Sequence, residues 1–254
     1  MSGVTQKNKI LIVGGSGTLG SSFKKSFEFK NADYPSSKSL DLTNKKSIKK
    51  FLKKKYNIII NCMGAGRIRE CEKFKDKAIK LNVVSVINLV DEILACEKKF
   101  KKKLKLIHIS TDVVYKADRG NYKESDKPNP QNFYGFTKMI SEQIVSQLKN
   151  HLIIRTRFFN KDNFKYREAA TDIFSSMLEV NDLVKKIVKI NKANFRGTIN
   201  IGDKRVSDYS KMVIFFPKLK RTSWKKIQKK NDIRISQDSS LNLSLYKNLT
   251  KKIN

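Results

Sequence analysis

The chain has 254 residues, 39% of them hydrophobic, enough for one large α/β domain or one domain with a small appended lobe. Lys+Arg number 55 against 23 Asp+Glu, a net charge of +32, but the lysines are scattered (Lys24, Lys53, Lys101, Lys185, Lys225), so we read them as solvated faces and nucleic acid as the lesser hypothesis. Three cysteines (Cys62, Cys71, Cys96) and two histidines argue against a disulfide framework and against a Cys/His metal centre, so no metal is expected.

No apolar run approaches the roughly 20 residues of a membrane span. The polar stretch 1–9 leads directly into a strand without a signal-peptide pattern, so the expected compartment is the reducing cytoplasm.

The first strand is Lys9-Ile-Leu-Ile-Val13, a short β-branched and apolar run. Gly14-Gly-Ser-Gly17-Thr-Leu-Gly20 follows, then a helix-like segment over 21–29. Gly14 permits a tight turn, Gly17 lets backbone approach a pyrophosphate, and Gly20 allows close helix–strand packing. The helix start then offers free amides and positive dipole to phosphates. Between a strand and a helix, this spacing predicts a dinucleotide fold.

The second strand is poorly written. Residues 27–35 show no acidic residue at a clean strand end, where one would grip an adenosine ribose. Ser36, Ser37 and Lys38 either hold a 2′-phosphate, which favours NADP, or form a plain polar loop. Asp41 either faces an adenine or starts a helix over 45–55.

Tyr56-Asn-Ile-Ile-Ile-Asn-Cys62 is a continuous apolar strand, the pattern of a parallel sheet covered on both faces. It ends in Met63-Gly-Ala-Gly66, small residues against which a cofactor can lie. Residues 76–100 predict a long helix, with Asn82 either a satisfied buried amide or a support for backbone near a site. Residues 104–110 form the next strand. His108 lies inside it and is read as a core residue. Ser110, Thr111 and Asp112 stand at its carboxyl end, where open α/β sheets place ligands, and a hydroxyl there can hold a carbonyl oxygen as it gains charge.

A loop over 115–130 leads into Asn132-Phe-Tyr134-Gly-Phe-Thr-Lys138. On a helix, Tyr134 and Lys138 lie on one face, about one turn apart. A cation beside a tyrosine favours its phenolate and brings it closer to proton transfer at neutral pH. Strand end, loop and Tyr-x-x-x-Lys helix give the order a hydride-transfer site needs: Thr111 orients the carbonyl, Tyr134 donates the proton, and Lys138 lowers the tyrosine pKa and holds a ribose.

Farther on, residues 151–155 and 195–201 predict strands and 181–191 a helix, and Ser207 is placed to cap a helix starting at Asp208. Trp224, the single tryptophan, is read as packing in a satellite apolar cluster rather than on a base or sugar.

With these residues assembled, the chain resembles the extended short-chain dehydrogenases/reductases, and within them the sugar-nucleotide reductases of the dTDP-4-dehydrorhamnose reductase group. The matching pieces include 13–20, 40–44, 59–62, 109–115, 134–142, 154–156, 197–202 and 238–242. The resemblance implies an α/β fold with a Rossmann-type doubly wound parallel sheet and a small C-terminal substrate-binding lobe. It implies a dinucleotide-binding domain over 1–157 and a lobe over 158–254 interwoven with the last strands. Thr111, Tyr134 and Lys138 become the catalytic set. Gly14, Ser16, Gly17, Thr18, Leu19, Gly20, Asp41, Leu42, Cys62, Met63, Gly64 and Ser110, with Tyr134 and Lys138, would hold NADP or NAD. Asp112, Arg155 and Ser175 would touch a nucleotide-diphosphate sugar, and a homodimer is an open expectation.

The implied activity is NAD(P)H-dependent reduction of a 4-keto group on a nucleotide-linked deoxysugar, with a place in dTDP-rhamnose and polysaccharide biosynthesis. Residues 158–170 depart from the family in lacking an extra helix. Two alternatives stand: an epimerase or dehydratase of the same superfamily, and a non-catalytic NAD(P)-binding regulatory subunit.

Overall fold

The computed structural model describes residues 9–53 and 56–253. The polar stretch expected at the N-terminus (apart from residue 9) and the last two residues of the helix expected over 45–55 lie outside them. Five parallel strands form the central sheet: β1 (Ile10–Val13), β2 (Ile58–Asn61), β3 (Lys105–Ile109), β4 (His151–Arg155) and β5 (Gly197–Asn200), in that spatial order. β1, β2 and the centres of β3 and β4 are apolar because helices cover both faces there, while the edge strand β5 contributes Ile199 alone.

Side chains alternate across a strand, and the core divides accordingly. Leu11, Val13, Ile59, Leu106 and Ile153 face one side. There they meet α2 (Lys45–Leu52), α3 (Ser85–Phe100) and the end of α4 (Phe133–Val145). Ile12, Ile60, Ile107, Ile154 and Ile199 face the other, against the helix Thr18–Lys25 and α5 (Val180–Lys192), with Tyr246 of α6 (Ser244–Thr250). We label the Thr18–Lys25 helix α1.

The weak second strand is reduced to one parallel bridge between Leu11 and Asp33 on the outer side of β1. The chain thus crosses from one side of β1 to β2 on the other, so the switch point of the sheet lies at the carboxyl end of β1. An acidic residue does stand at this second strand. Its carboxylate, however, accepts a hydrogen bond from the Tyr56 hydroxyl and lies 3.7 Å from the Lys9 amine.

The long helix expected over 76–100 is present with an interruption. Lys75–Ile79 is α-helical, Lys80–Val84 is one π turn, and α3 continues from Ser85. Such turns cluster at functional sites, and Asn82 sits in this one. Residues 158–170 contain no α-helix, only short strands at Phe158–Phe159 and Glu168–Ala170 around a 3₁₀ turn. Ser207 caps the helix Asp208–Met212 through the Ser210 amide. Trp224 is half-buried, and its indole N–H donates to the Ile235 carbonyl at 2.9 Å.

Candidate active site

The glycine turn is built by backbone contact. Gly14 has φ +81°, a left-handed conformation that only glycine adopts without cost. A Cβ on Gly20 would lie 2.2 Å from the Gly14 carbonyl oxygen, so α1 can sit this close to β1 only without a side chain there. Gly17 occupies the N-cap position, and no side chain caps α1, leaving its first amides for an anionic ligand. Ser16 and Thr18 are exposed on the turn, while the Leu19 side chain is buried under it. Across the sheet, Cys62 donates its amide to Val13 and Met63 donates to Asn61 Oδ1, placing the 62–64 backbone beside Gly14.

At the carboxyl end of β3, Thr111 caps a short 3₁₀ turn over Asp112–Val114. Asn132 caps α4 through the Gly135 amide. Gly135 has its own steric reason: a Cβ there would meet the Val113 carbonyl oxygen at 2.3 Å. The missing side chain lets α4 rest directly on the 111–115 turn and brings Tyr134 to Thr111. Burial pushes the Tyr134 phenol well above its usual pKa. A hydrogen bond with Thr111 pulls it down, and the Asp112 charge pushes it up again.

Lys138, one helical turn on, is buried at 4% exposure. Its amine donates to the Ile109 carbonyl at 2.7 Å and lies 3.1 Å from His108 Nε2. Burial lowers its pKa to about 8, against the nearby Glu142 and Cys62, which favour the charged form. Thr111, Tyr134 and Lys138 thus gather at one sheet end, beside the Cys62–Gly64 backbone and the glycine turn.

Other candidates lie elsewhere. Leu42 is wholly buried in the core beneath α3, and its carbonyl accepts from Asn88, so its side chain cannot touch a cofactor. Asp41 is exposed and accepts from the amide and hydroxyl of Thr43, which makes it a turn residue leading into α2. The Ser110 hydroxyl is turned inward to Glu142 Oε1. Asp112 is buried at 1% exposure and accepts from the hydroxyls of Ser239 and Thr111, so its carboxylate is satisfied within the protein. Arg155 is buried in an ion pair with Glu142. Ser175 is buried too, donating to Asp208 at 3.1 Å. Strand-end position placed Ser110, Asp112, Arg155 and Ser175 along the chain but did not give the direction of their side chains.

Three residues outside the expected catalytic and binding set contribute, Asn82 among them in the supporting role its sequence position allowed. Asn82 accepts from the Ala65 amide at 2.7 Å and donates to the Ala65 carbonyl and Thr137 Oγ1, fastening the 62–66 segment to α4. Arg157, just beyond β4, bonds Asp208 at 3.1 Å and feels the charge of Asp112, a half-buried guanidinium on the lobe side of that carboxylate. His108 is a core residue by burial, as read from the sequence, yet its ring touches the Lys138 amine. Its two-residue offset from Ser110 was the available signal, since alternate strand residues share a face.

The chain is 32% identical over 123 residues to dTDP-4-dehydrorhamnose reductase of Mycolicibacterium smegmatis, covering 47% of this chain and 36% of that protein. It is 30% identical over 154 residues to methionine adenosyltransferase 2 subunit beta of Bos taurus, covering 57% and 44%. The match therefore spans less than half the length of either relative. The crystal structure of dTDP-4-dehydrorhamnose reductase from Bacillus anthracis in complex with NADP superimposes with a TM-score of 0.81 at 22% identity, over 94% of this chain and 91% of that one. The family model for the RmlD substrate binding domain matches residues 8–184, and the chain belongs to that family.

Proposed function

We propose that the protein is an NAD(P)H-dependent reductase of a 4-keto group on a nucleotide-linked deoxysugar. The observation that carries this reading is the convergence of Thr111, Tyr134 and Lys138 beside an uncapped, glycine-tight helix start. The similar Bacillus anthracis structure contains NADP, and the turn around Gly14 and Gly20 packs backbone on backbone with no room for a side chain. The exposed Ser36, Ser37 and Lys38 are the groups we assign to a 2′-phosphate, favouring NADP. We divide the chain into a dinucleotide unit over 1–157 and a substrate lobe from 158 onward.

The dinucleotide, when bound, supplies hydride to the keto carbon. Thr111 holds the carbonyl oxygen through its hydroxyl. Tyr134 donates its phenolic proton to that oxygen as negative charge develops. The Lys138 ammonium, fixed by the Ile109 carbonyl, stabilises the phenolate left behind. Arg157 supplies positive charge on the lobe side, suited to an anionic substrate.

A second reading has its own support: the subunit-beta relative matches more of the chain than the reductase does. It makes the protein a dinucleotide-binding regulatory subunit. One experiment separates the two. NADPH is mixed with the protein and a dTDP-4-keto-6-deoxysugar, and cofactor oxidation is followed alongside calorimetric titration of each ligand. Turnover supports the reductase. Cofactor binding without binding or turnover of any nucleotide ketosugar would sink it and favour the regulatory subunit.

A further inference from the structure

Beneath the Tyr134–Lys138 pair lies a chain of wholly buried polar groups that crosses three elements. Asn61 ends β2, His108 is in β3, and Ser141 is on α4; each is at 0% exposure. Asn61 Oδ1 accepts from the Met63 amide at 3.0 Å. A backbone N–H can only donate, so this contact fixes the orientation of the side-chain amide and leaves its Nδ2 facing His108 Nδ1 at 3.3 Å. Nδ2 is a donor, so Nδ1 must accept, and the ring proton resides on Nε2. The far side of the ring agrees. Ser141 Oγ gives its own proton to the Lys138 carbonyl at 2.7 Å and stands 3.1 Å from Nε2, ready to accept.

Lys138 Nζ lies 3.1 Å from that same Nε2, so the single Nε2–H is shared between Ser141 Oγ and Nζ. Toward Nζ it meets a lone pair on a neutral amine but confronts another donor on an ammonium. We propose that His108 is a positioning residue for Lys138: Asn61 locks the ring in its Nε2–H form, and the ring in turn disfavours the Lys138 ammonium. The remaining titratable groups facing the amine, Glu142 on its own helix and Cys62 on the turn after β2, both favour the charged form. His108 itself stays neutral, since burial and the neighbouring amine hold its pKa well below the ordinary value. The tautomer lock thus works against Glu142 and draws the Lys138 titration down toward neutrality. The inference rests on the reductase reading only for its catalytic consequence.

The lock has a specific key. In Asn61→Asp, one carboxylate oxygen still accepts from Met63, while the other can only accept from His108. The ring then carries its proton on Nδ1 and offers the Nε2 lone pair to the Lys138 ammonium. Long-range nitrogen NMR on histidine-labelled protein reads the tautomer directly, and only His108 and His151 need assignment. Lysine Nζ spectra, with Lys138→Met identifying the resonance, read the amine titration without any substrate. The expected result is an Nε2–H ring in the wild type, an Nδ1–H ring in Asn61→Asp, and a Lys138 midpoint raised by about one pH unit or more, a tenfold change in proton affinity. The alkaline limb of turnover should move up with it. A wild-type Nδ1–H ring, a His108 that titrates between pH 5 and 8, or a Lys138 midpoint unmoved in Asn61→Asp would each overturn the proposal. If Asn61→Asp does not fold, the wild-type ring spectrum still decides. Absence of turnover with the spectra as expected would count against the reductase reading alone.

Discussion

Arg155 and Glu142 form an ion pair sealed inside the protein. Arg155 Nη2 lies 2.7 Å from Glu142 Oε2, Nε reaches both carboxylate oxygens, and the side chains are 6% and 2% exposed. Ser110 and Tyr115 complete the network, with Arg155 Nη1 donating to the Tyr115 hydroxyl at 2.7 Å. Removing one partner leaves the other charge buried and uncompensated, at a cost of about 3–5 kcal/mol. Arg155→Ala should therefore lose most of the protein's stability in urea denaturation. Arg155→Met combined with Glu142→Leu should recover much of it. If Arg155 instead contacted substrate, Arg155→Ala would raise KM with the urea midpoint unchanged.

Tyr134→Phe removes the proton donor and little else. Turnover should fall by about 10²–10⁴-fold, the usual contribution of a positioned general acid. NADPH affinity, measured by calorimetry, should stay near the wild-type value. Undiminished turnover in the variant would take Tyr134 out of the mechanism.

Lys138 carries a pH signature. Its folded pKa is lowered to about 8 from an ordinary 10.5 by burial. Between those values the unfolded chain binds the proton that the folded chain has lost, so stability from this group rises with pH across that window. Below about pH 8 both states are protonated, and the full cost of burying the charge is felt. The stability difference between wild type and Lys138→Met should accordingly move in favour of the wild type as pH rises from 8 to 10. Paired denaturation curves at several pH values measure it; a flat difference would mean that the amine is not desolvated.

Gly135→Ala tests the contact that joins α4 to the strand end. The new Cβ would stand 2.3 Å from the Val113 carbonyl oxygen and 2.9 Å from Pro130 Cβ, both poorly able to yield. Overpacking of this kind costs about 1–3 kcal/mol. Because the helix must lift, Tyr134 leaves Thr111, and turnover should drop more steeply than the melting temperature.

Asn82→Leu should strand the Ala65 amide, which Asn82 satisfies at 2.7 Å, while the Ala65 carbonyl keeps only the Cys71 thiol as donor. Each buried polar group left unpaired costs about 1–3 kcal/mol. Hydrogen exchange should show faster exchange at Ala65 than in wild type, with β1 still protected.

The sheet was legible because five apolar runs separated by helical spacing admit few arrangements, and the turn from Gly14 to Gly20 names the end where ligands gather. Thr111, Tyr134 and Lys138 were legible because one helical turn and one strand end suffice to bring them together. The side-chain directions of Ser110, Asp112, Arg155 and Ser175 were not legible, because a position at a strand end fixes which end of the sheet a residue occupies, not which way its side chain turns. Their inward direction depends on Glu142, Ser239 and Asp208, residues 32, 127 and 33 positions away from Ser110, Asp112 and Ser175 along the chain. The burial of the Leu42 side chain was not legible for a like reason, since α3 closes over it from more than 40 residues away. His108 shows a different gap. Its strand pattern announced burial correctly, but burial says nothing of a contact with an amine on another element.

The π turn over Lys80–Val84 gives the rod from Lys75 to Phe100 two registers. Each helical residue advances the side chain by about 100°, so one extra residue in the repeat offsets the stripe before the turn from the stripe after it. Ala78 is set by the first register, and Val86, Leu89 and Ile93 are set by the second against the sheet. Asn82 falls at the seam between them, free of the demand that either stripe be apolar. A single inserted residue thus accommodates a polar clamp in an otherwise greasy helix without sacrificing a core position.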